Sequence, residues 1–273
     1  MASNEKHLPG LLTVVILILL TAAMFAATWI LPDSKDGKSW NLILVMVSML
    51  LFVVTVGVRV SGRPAGILIN ERNLISLSRF QTVLWTLIIL SAFLTMALQR
   101  VRFGVPEDQS PLDIALDWRL WALMGISTAS LIGSPLIQST KKTKEPDKDV
   151  ADKTAKLTGE TGDDVVNNAQ GTLYANPAIK DAAFSDMFEG DEVGDTAYVD
   201  LAKVQMFFFT IVAALSYFVI LYSWIRNRAT NDLASFPELS QGFIAILGIS
   251  HAGFLVNKSN DHTVPATADS PGR

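Results

Sequence analysis

Few side chains in the apolar parts of this chain could do chemistry, and almost all of them are uncharged. His251 is the only ionisable residue inside a long uncharged stretch, and such a residue is a functional candidate by default. Amides and hydroxyls in apolar surroundings need hydrogen-bond partners, so they either join helices or line a polar path. The candidate helix-interface or pore-lining residues are Gln81, Thr86, Gly125, Ser127, Gln205, Thr210, Gly248, Ser250 and His251.

The same residues give little support to catalysis. A Gly-x-Ser pattern begins at Gly125 and again at Gly248, and it resembles the serine motif of intramembrane serine proteases. His251 is the only histidine in an uncharged stretch, so the resemblance goes no further. The chain has no cysteine, which excludes thiolate chemistry and cysteine-based metal sites. The sequence therefore predicts a protein that is not an enzyme and binds no cofactor.

Six apolar stretches without Asp, Glu, Lys or Arg must position these candidates. Each is 18 to 22 residues long, close to the roughly 20 residues that a helix needs to cross a bilayer. A backbone in lipid must satisfy its own hydrogen bonds, so these stretches are expected to be helices. The prediction is an all-α membrane protein with six spans, at 11–31, 40–58, 80–98, 120–137, 204–225 and 239–257.

The first stretch has an alternative reading as a cleaved signal peptide. It follows a short segment that contains Lys6. Its 21 uncharged residues exceed the roughly 7 to 15 of a signal peptide's apolar region, which favours a retained span.

Basic residues indicate the orientation of the spans. With six spans, 15 lysines and arginines fall on one side and seven on the other. The positive-inside rule then places both termini in the cytoplasm. We therefore expect a multi-pass protein of the plasma membrane, in particular a bacterial inner membrane.

An internal repeat relates the last four spans. Residues 77–81 match 201–205 at a shift of 124, and residues 122–129 match 245–252 at a shift of 123. Each repeat contains two spans, so the two hairpins should be parallel and related by a pseudo-twofold axis along the membrane normal. The matched cations Arg79 and Lys203 precede the first helix of each repeat. They are candidate orientation anchors or contacts for lipid phosphate.

The predicted organisation follows from these boundaries. Lysine, aspartate, threonine and glycine dominate 141–170, which predicts a disordered linker, and residues 181–200 are acidic. Phe184, Met187 and Phe188 have helical spacing, which predicts one or two turns on the membrane surface or against the bundle. The regions are a transmembrane hairpin (1–58), a cytoplasmic interfacial loop (59–79), repeat 1 (80–137), a cytoplasmic linker with an acidic segment (138–203), repeat 2 (204–257) and a disordered tail (258–273).

Two functions remain compatible with this pattern. The first is a non-enzymatic membrane scaffold or assembly protein, in which the paired motifs join helices. The second is a small channel or transporter for ions or solutes, with a polar path between the repeats. The expected partners are the lipid bilayer and either a second copy of the chain or another membrane protein, and nucleic acid is not expected.

Overall fold

The structure is a computed structural model that describes residues 9–263. Within these residues the regular secondary structure is helical, and the only β-type pairings are isolated bridges between loop residues. The helices are α1 (Gly10–Ile30), α2 (Lys35–Ser61), α3 (Leu77–Phe103), α4 (Trp118–Ser139), α5 (Lys148–Thr158), α6 (Gly162–Asn168), α7 (Leu201–Asn227) and α8 (Gln241–Ser259). Five of them, α1, α2, α3, α4 and α7, are long and apolar enough to cross a membrane, which supports a multi-pass membrane protein. Helix α8 overlaps the sixth predicted span but is not among these five.

Local signals account for several helix ends. The hydroxyl of Ser34 accepts a hydrogen bond from the backbone N–H of Gly37 and caps the start of α2. The same helix ends at Ser61 and is capped by Gly62, whose φ of 75° is in the left-handed region that glycine adopts without a steric penalty. Asp147 and Thr161 cap α5 and α6 in the same way as Ser34.

The chain divides into two compact units, and several helices contribute residues to both. Unit 1 comprises the described residues of Met1–Ile67, Gln81–Gly125 and Thr210–Ala245. Within it, α1 packs along α2, and Thr28 and Asn41 join the two helices by buried hydrogen bonds between their side chains.

Unit 2 comprises the described residues of Leu68–Phe80, Ile126–Phe209 and Ile246–Arg273. It holds α5 and α6, so the prediction that 141–170 is disordered is wrong. Ala151 and Ala155 are one helical turn apart on α5 and form a buried cluster with Val165, Tyr174 and Val193. The apolar residues of this segment are few and small, but their spacing places them on one face, where a distant tyrosine and valine cover them.

The aromatic turn predicted within the acidic segment is present as a single 3-10 turn, Phe184–Met187. Met187 is buried, and the rings of Phe184 and Phe188 contact Phe207 of α7 at centroid distances of 6.2 and 5.0 Å. The turn therefore packs against a helix, one of the two predicted placements.

The prediction of a disordered tail at 258–273 is wrong for its first residues, because Lys258 and Ser259 belong to α8 and the buried hydroxyl of Thr263 accepts a hydrogen bond from the backbone N–H of Gly194. Residues 264–273 lie outside the described part of the chain.

Candidate functional site

The first candidate contact is a buried polar pair in unit 1. The side-chain amide of Gln81 donates a hydrogen bond to the hydroxyl of Thr210 over 2.6 Å, and both residues have no exposed surface. The pair joins α3 to α7. Their repeat counterparts are placed differently, because Gln205 is exposed and Thr86 is half-buried.

The glycines predicted at the helix interface make few contacts. Gly125 is exposed, and a Cβ added to it would meet no heavy atom of the described chain within 4 Å. In unit 2, a Cβ on Gly248 would lie 3.8 Å from the side chain of Ile126, which is an ordinary van der Waals distance. Neither position shows the close backbone approach for which a glycine would be required.

A second polar contact joins α4 to α8 in unit 2. The hydroxyl of Ser130 lies 2.6 Å from Nδ1 of His251, and both side chains are buried. Sequence reasoning missed Ser130, which lies one helical turn after Ser127. The hydroxyls of Ser127 and Ser250 are also buried, and neither has a hydrogen-bond partner among the described residues.

The two predicted phosphate anchors also differ from each other. Arg79 is half-buried and donates to the backbone carbonyl of Ile69 over 2.9 Å. Lys203 is only 4% exposed, donates to the carbonyl of Glu189 and lies 3.3 Å from the carboxylate of Asp191. Lys203 is therefore part of a buried ionic contact, which is a different environment from that of a lipid-facing anchor.

Three cations surround one carboxylate in unit 2. Besides Lys203, the guanidinium of Arg72 lies 2.7 Å and the ammonium of Lys258 lies 3.1 Å from the carboxylate oxygens of Asp191. We call these four residues the Asp191 cluster. Arg72 also donates to the backbone carbonyls of Tyr174 and Asp191. Residues at positions 72, 191, 203 and 258 therefore meet at one largely buried carboxylate.

The electrostatics of the cluster follow from this geometry. Burial raises the pKa of Asp191, but Lys203, Lys258 and Arg72 outweigh it and hold the pKa well below its usual range. Nearby, burial raises the pKa of Asp186, although its carboxylate accepts hydrogen bonds from the backbone N–H groups of Ile75 and Ala183. The pKa values of the two carboxyl groups are thus shifted in opposite directions.

A second buried ion pair adjoins the cluster. The ammonium of Lys141 contacts the carboxylate of Glu192 and the backbone carbonyl of Asn260. Glu192 also accepts hydrogen bonds from the backbone N–H groups of His262 and Thr263. The chain directly after α8 is therefore tied to the acidic segment by charge-assisted hydrogen bonds.

A polar cavity of about 80 Å³ lies beside the Asp191 cluster. We call it the polar cavity. The loop before α3, the second half of α4, Asp186, Phe254 of α8 and the four cluster residues line it. Three of its buried side chains carry N–H or O–H groups without a partner among the described residues, namely Nε of Arg72, the hydroxyl of Ser134 and the side-chain amide nitrogen of Gln138.

The sequence contained a partial signal for this site. The acidic segment has no lysine or arginine between Lys180 and Lys203, so its carboxylates had to find cations elsewhere if they were buried. Nothing in the spacing indicated which cations these would be. Within residues 9–263, no group of three or more histidine, aspartate or glutamate side chains is placed to hold a metal ion.

Comparison with known proteins does not assign this chain to a family. No family model, curated protein or solved structure matches the chain.

Proposed function

We propose that this chain is a non-enzymatic integral membrane scaffold or assembly protein with six spans and both termini in the cytoplasm of a bacterial cell. Its partners would be the lipid bilayer of the plasma membrane and another membrane protein or a second copy of the chain. Five apolar helices support insertion, and α8 would supply the sixth span. The fifteen-to-seven division of basic residues supports the orientation.

Helix boundaries support the duplicated hairpin within this proposal. Helices α3 and α7 each have 27 residues, and the shift from Leu77 to Leu201 equals the shift from Phe103 to Asn227. Both helices also have a capping side chain one residue before the first turn, from Ser76 and Asp200 respectively. A duplicated gene segment would preserve such boundaries together with the matched sequence.

The same agreement appears at the second helix of each hairpin. Helix α4 begins at Trp118 and α8 at Gln241, the shift of 123 seen in the sequence match. Asp117 caps α4 and Ser240 caps α8, again one residue before each helix. The C-terminal ends do not share this shift, so the second hairpin would be the shorter one.

The hydrogen bond between Gln81 and Thr210 is the observation that favours a scaffold rather than a channel or transporter. A residue that lines an aqueous path needs access to water, whereas both of these side chains are fully buried. An amide that bonds a hydroxyl on a neighbouring helix instead stabilises helix association. Ser130 and His251 do the same between α4 and α8.

An exposed apolar segment in unit 2 is the surface that we assign to partner binding. Tyr198, Val199 and Leu201 expose 53, 66 and 77% of their surface, and they directly precede or begin α7. A photoreactive amino acid at Val199 should crosslink one defined protein in native membranes. The same group at Thr158, an exposed polar position on α5, should not. Equal crosslinking at both positions, or none at Val199, would argue against this surface.

The alternative is a small channel or transporter, and one observation favours it. In unit 2, the hydroxyls of Ser127 and Ser250 are buried without partners, near the imidazole of the bonded His251 on the same pair of helices. Proteoliposomes decide between the two functions. The scaffold predicts that flux of Na⁺, K⁺, Cl⁻ and protons equals that of protein-free liposomes. Flux that disappears in a folded Ser127→Val or Ser250→Val variant would establish the conduit instead.

A further inference from the structure

The polar cavity of unit 2 has no role in the proposed scaffold, and its lining is unusual in charge. Three cations and two carboxylates of the lining are shielded from solvent: Arg72, Lys203 and Asp186 are buried, and the side chains of Lys258 and Asp191 are only 10 and 14% exposed. A further cation, Arg79, is half-buried, whereas the remaining carboxylate, Glu71, is exposed and therefore screened by solvent. The protected part of the cavity thus has an excess of positive charge.

The carboxylates of Asp186 and Asp191 do not remove this excess. Asp191 is already shared by three cations, at distances of 2.7 to 3.3 Å. Asp186 is bonded to two backbone N–H groups, and burial raises its pKa. A negatively charged ligand would therefore meet incompletely neutralised cations in a place from which most water is excluded.

Unpartnered donors give the cavity a preference for acceptor atoms. Arg72, Gln138 and Ser134 are only 2, 5 and 6% exposed, and each has an N–H or O–H group without a partner among the described residues. Buried donors left unpaired are costly, so native proteins usually pair them. These three come from the loop before α3 and from two positions one helical turn apart on α4. All three residues line the cavity, and they belong to two different elements.

We infer that the polar cavity is a binding site for a phosphate-type oxyanion, either a free phosphate or the headgroup of an anionic lipid. A tetrahedral group with several acceptor oxygens can bond donors that converge from different directions, whereas a planar carboxylate offers two oxygens in one plane. Arginine and lysine are the usual cations for such a ligand. The cavity volume of about 80 Å³ is between two and three times the roughly 30 Å³ that one water occupies in the liquid, which suits one phosphate group.

The test begins with the purified full chain, stripped of lipid, in detergent and phosphate-free buffer. Inorganic phosphate should raise its melting temperature in a saturable manner, relative to sodium nitrate at the same ionic strength. A second arm compares nanodiscs of phosphatidylcholine with nanodiscs that also contain phosphatidic acid. If the ligand is a free ion, inorganic phosphate should raise the melting temperature in both kinds of nanodisc. A lipid ligand predicts that phosphatidic acid raises the melting temperature and abolishes the further shift with phosphate.

Variants of the unpartnered donors give the test its specificity. Gln138→Leu and Ser134→Ala each remove a donor that has no partner to lose, so neither should lower the melting temperature of the ligand-free protein. Each should weaken binding of the anion by about tenfold. Ser139→Ala, an exposed position on the same helix, is the matched control and should bind as the wild type does.

The opposite results are equally clear. If neither phosphate nor phosphatidic acid shifts the melting temperature, or if both donor variants bind as tightly as the control, the site does not exist. Should both variants fail to fold, ³¹P NMR on the wild-type protein replaces them. Binding predicts broadening of the phosphate line that excess sulfate reverses, and an unbroadened line would refute the inference.

Discussion

The hydrogen bond between Gln81 and Thr210 joins two fully buried side chains, whereas the matched residues of the repeat, Gln205 and Thr86, are more exposed. The amide of Gln81 donates to Thr210 over 2.6 Å. The pseudo-twofold axis that we propose would pair their counterparts, Gln205 and Thr86, in the same way. Gln205, however, is exposed, so only one of the two matched pairs is fully buried.

The first prediction measures what this bond contributes. Gln81→Leu and Thr210→Val should each destabilise the protein, and the double variant should cost less than the sum because the first change has already broken the hydrogen bond between them. The coupling energy should be about 0.6–2 kcal/mol, as for other hydrogen bonds between membrane helices. Unfolding in SDS of all four proteins measures it. Gln205→Leu is the exposed control, and additive effects in the Gln81 cycle would contradict the bond.

The second prediction concerns the contact of His251 with Ser130. His251→Thr copies the matched residue of the first repeat, but the shorter side chain leaves the buried hydroxyl of Ser130 unpaired. We expect a loss of about 1–3 kcal/mol. Adding Ser130→Ala to this variant should recover part of the loss, as followed by thermal unfolding in detergent. A His251→Thr protein as stable as wild type would mean that the contact is unimportant.

The third prediction separates glycines that are needed from those that are not. Gly125→Leu should change stability by no more than about 0.5 kcal/mol, because the position is exposed and has no neighbour within 4 Å of a new Cβ. By contrast, a Cβ on Gly37 would lie 2.1 Å from the backbone oxygen of Pro32. Gly37→Ala should therefore destabilise the protein by about 1–3 kcal/mol. The same melting experiment compares both variants, and a larger effect at Gly125 would reveal a contact with another chain.

The fourth prediction uses the pH dependence of the Asp191 cluster. Three cations hold the pKa of Asp191 well below its usual 3.8, so its contribution to stability is present above pH 3.8 and is lost as the pH falls towards the folded-state pKa. Asp191→Asn should cost about 3–5 kcal/mol at pH 7, because it removes the negative charge that Arg72, Lys203 and Lys258 share. The difference in melting temperature between the Asp191→Asn variant and the wild type should become smaller below pH 3.8. Glu145→Gln, at an exposed position, is the control and should melt at the wild-type temperature at every pH. If the difference for Asp191→Asn stays constant in acid, the ionised carboxylate of Asp191 does not stabilise the cluster.

The fifth prediction tests the orientation in the membrane. Single cysteines introduced into this cysteine-free chain at Ser110 and Asn231 should react with an impermeant maleimide added to intact cells, since both positions are exposed and lie in loops predicted to be external. A cysteine at Thr158, also exposed, should react only after the cells are opened. Labelling of Thr158→Cys from outside would reverse the proposed topology.

Much of the fold could be read from single stretches of sequence because membrane helices are a local property. The five apolar candidate spans, the capping of α2 by Ser34 and the aromatic turn at Phe184 all depend on residues within a few positions of one another. The prediction failed at α5, where the polar composition indicated disorder. Ala151 and Ala155 lie on one face of this helix, and Tyr174 and Val193, which are outside the helix, bury them.

The candidate site depends on distances that no local pattern contains. The sequence by itself determined which apolar stretches become long helices, since a helix satisfies its backbone hydrogen bonds within a single stretch in lipid. Only the tertiary structure decided that Gln81 is buried while Gln205 is exposed. It also decided that Arg72 and Lys258 meet at Asp191. A charge or an amide is satisfied by whichever partner the packing of distant segments brings within about 3 Å, and that choice is made by the whole fold.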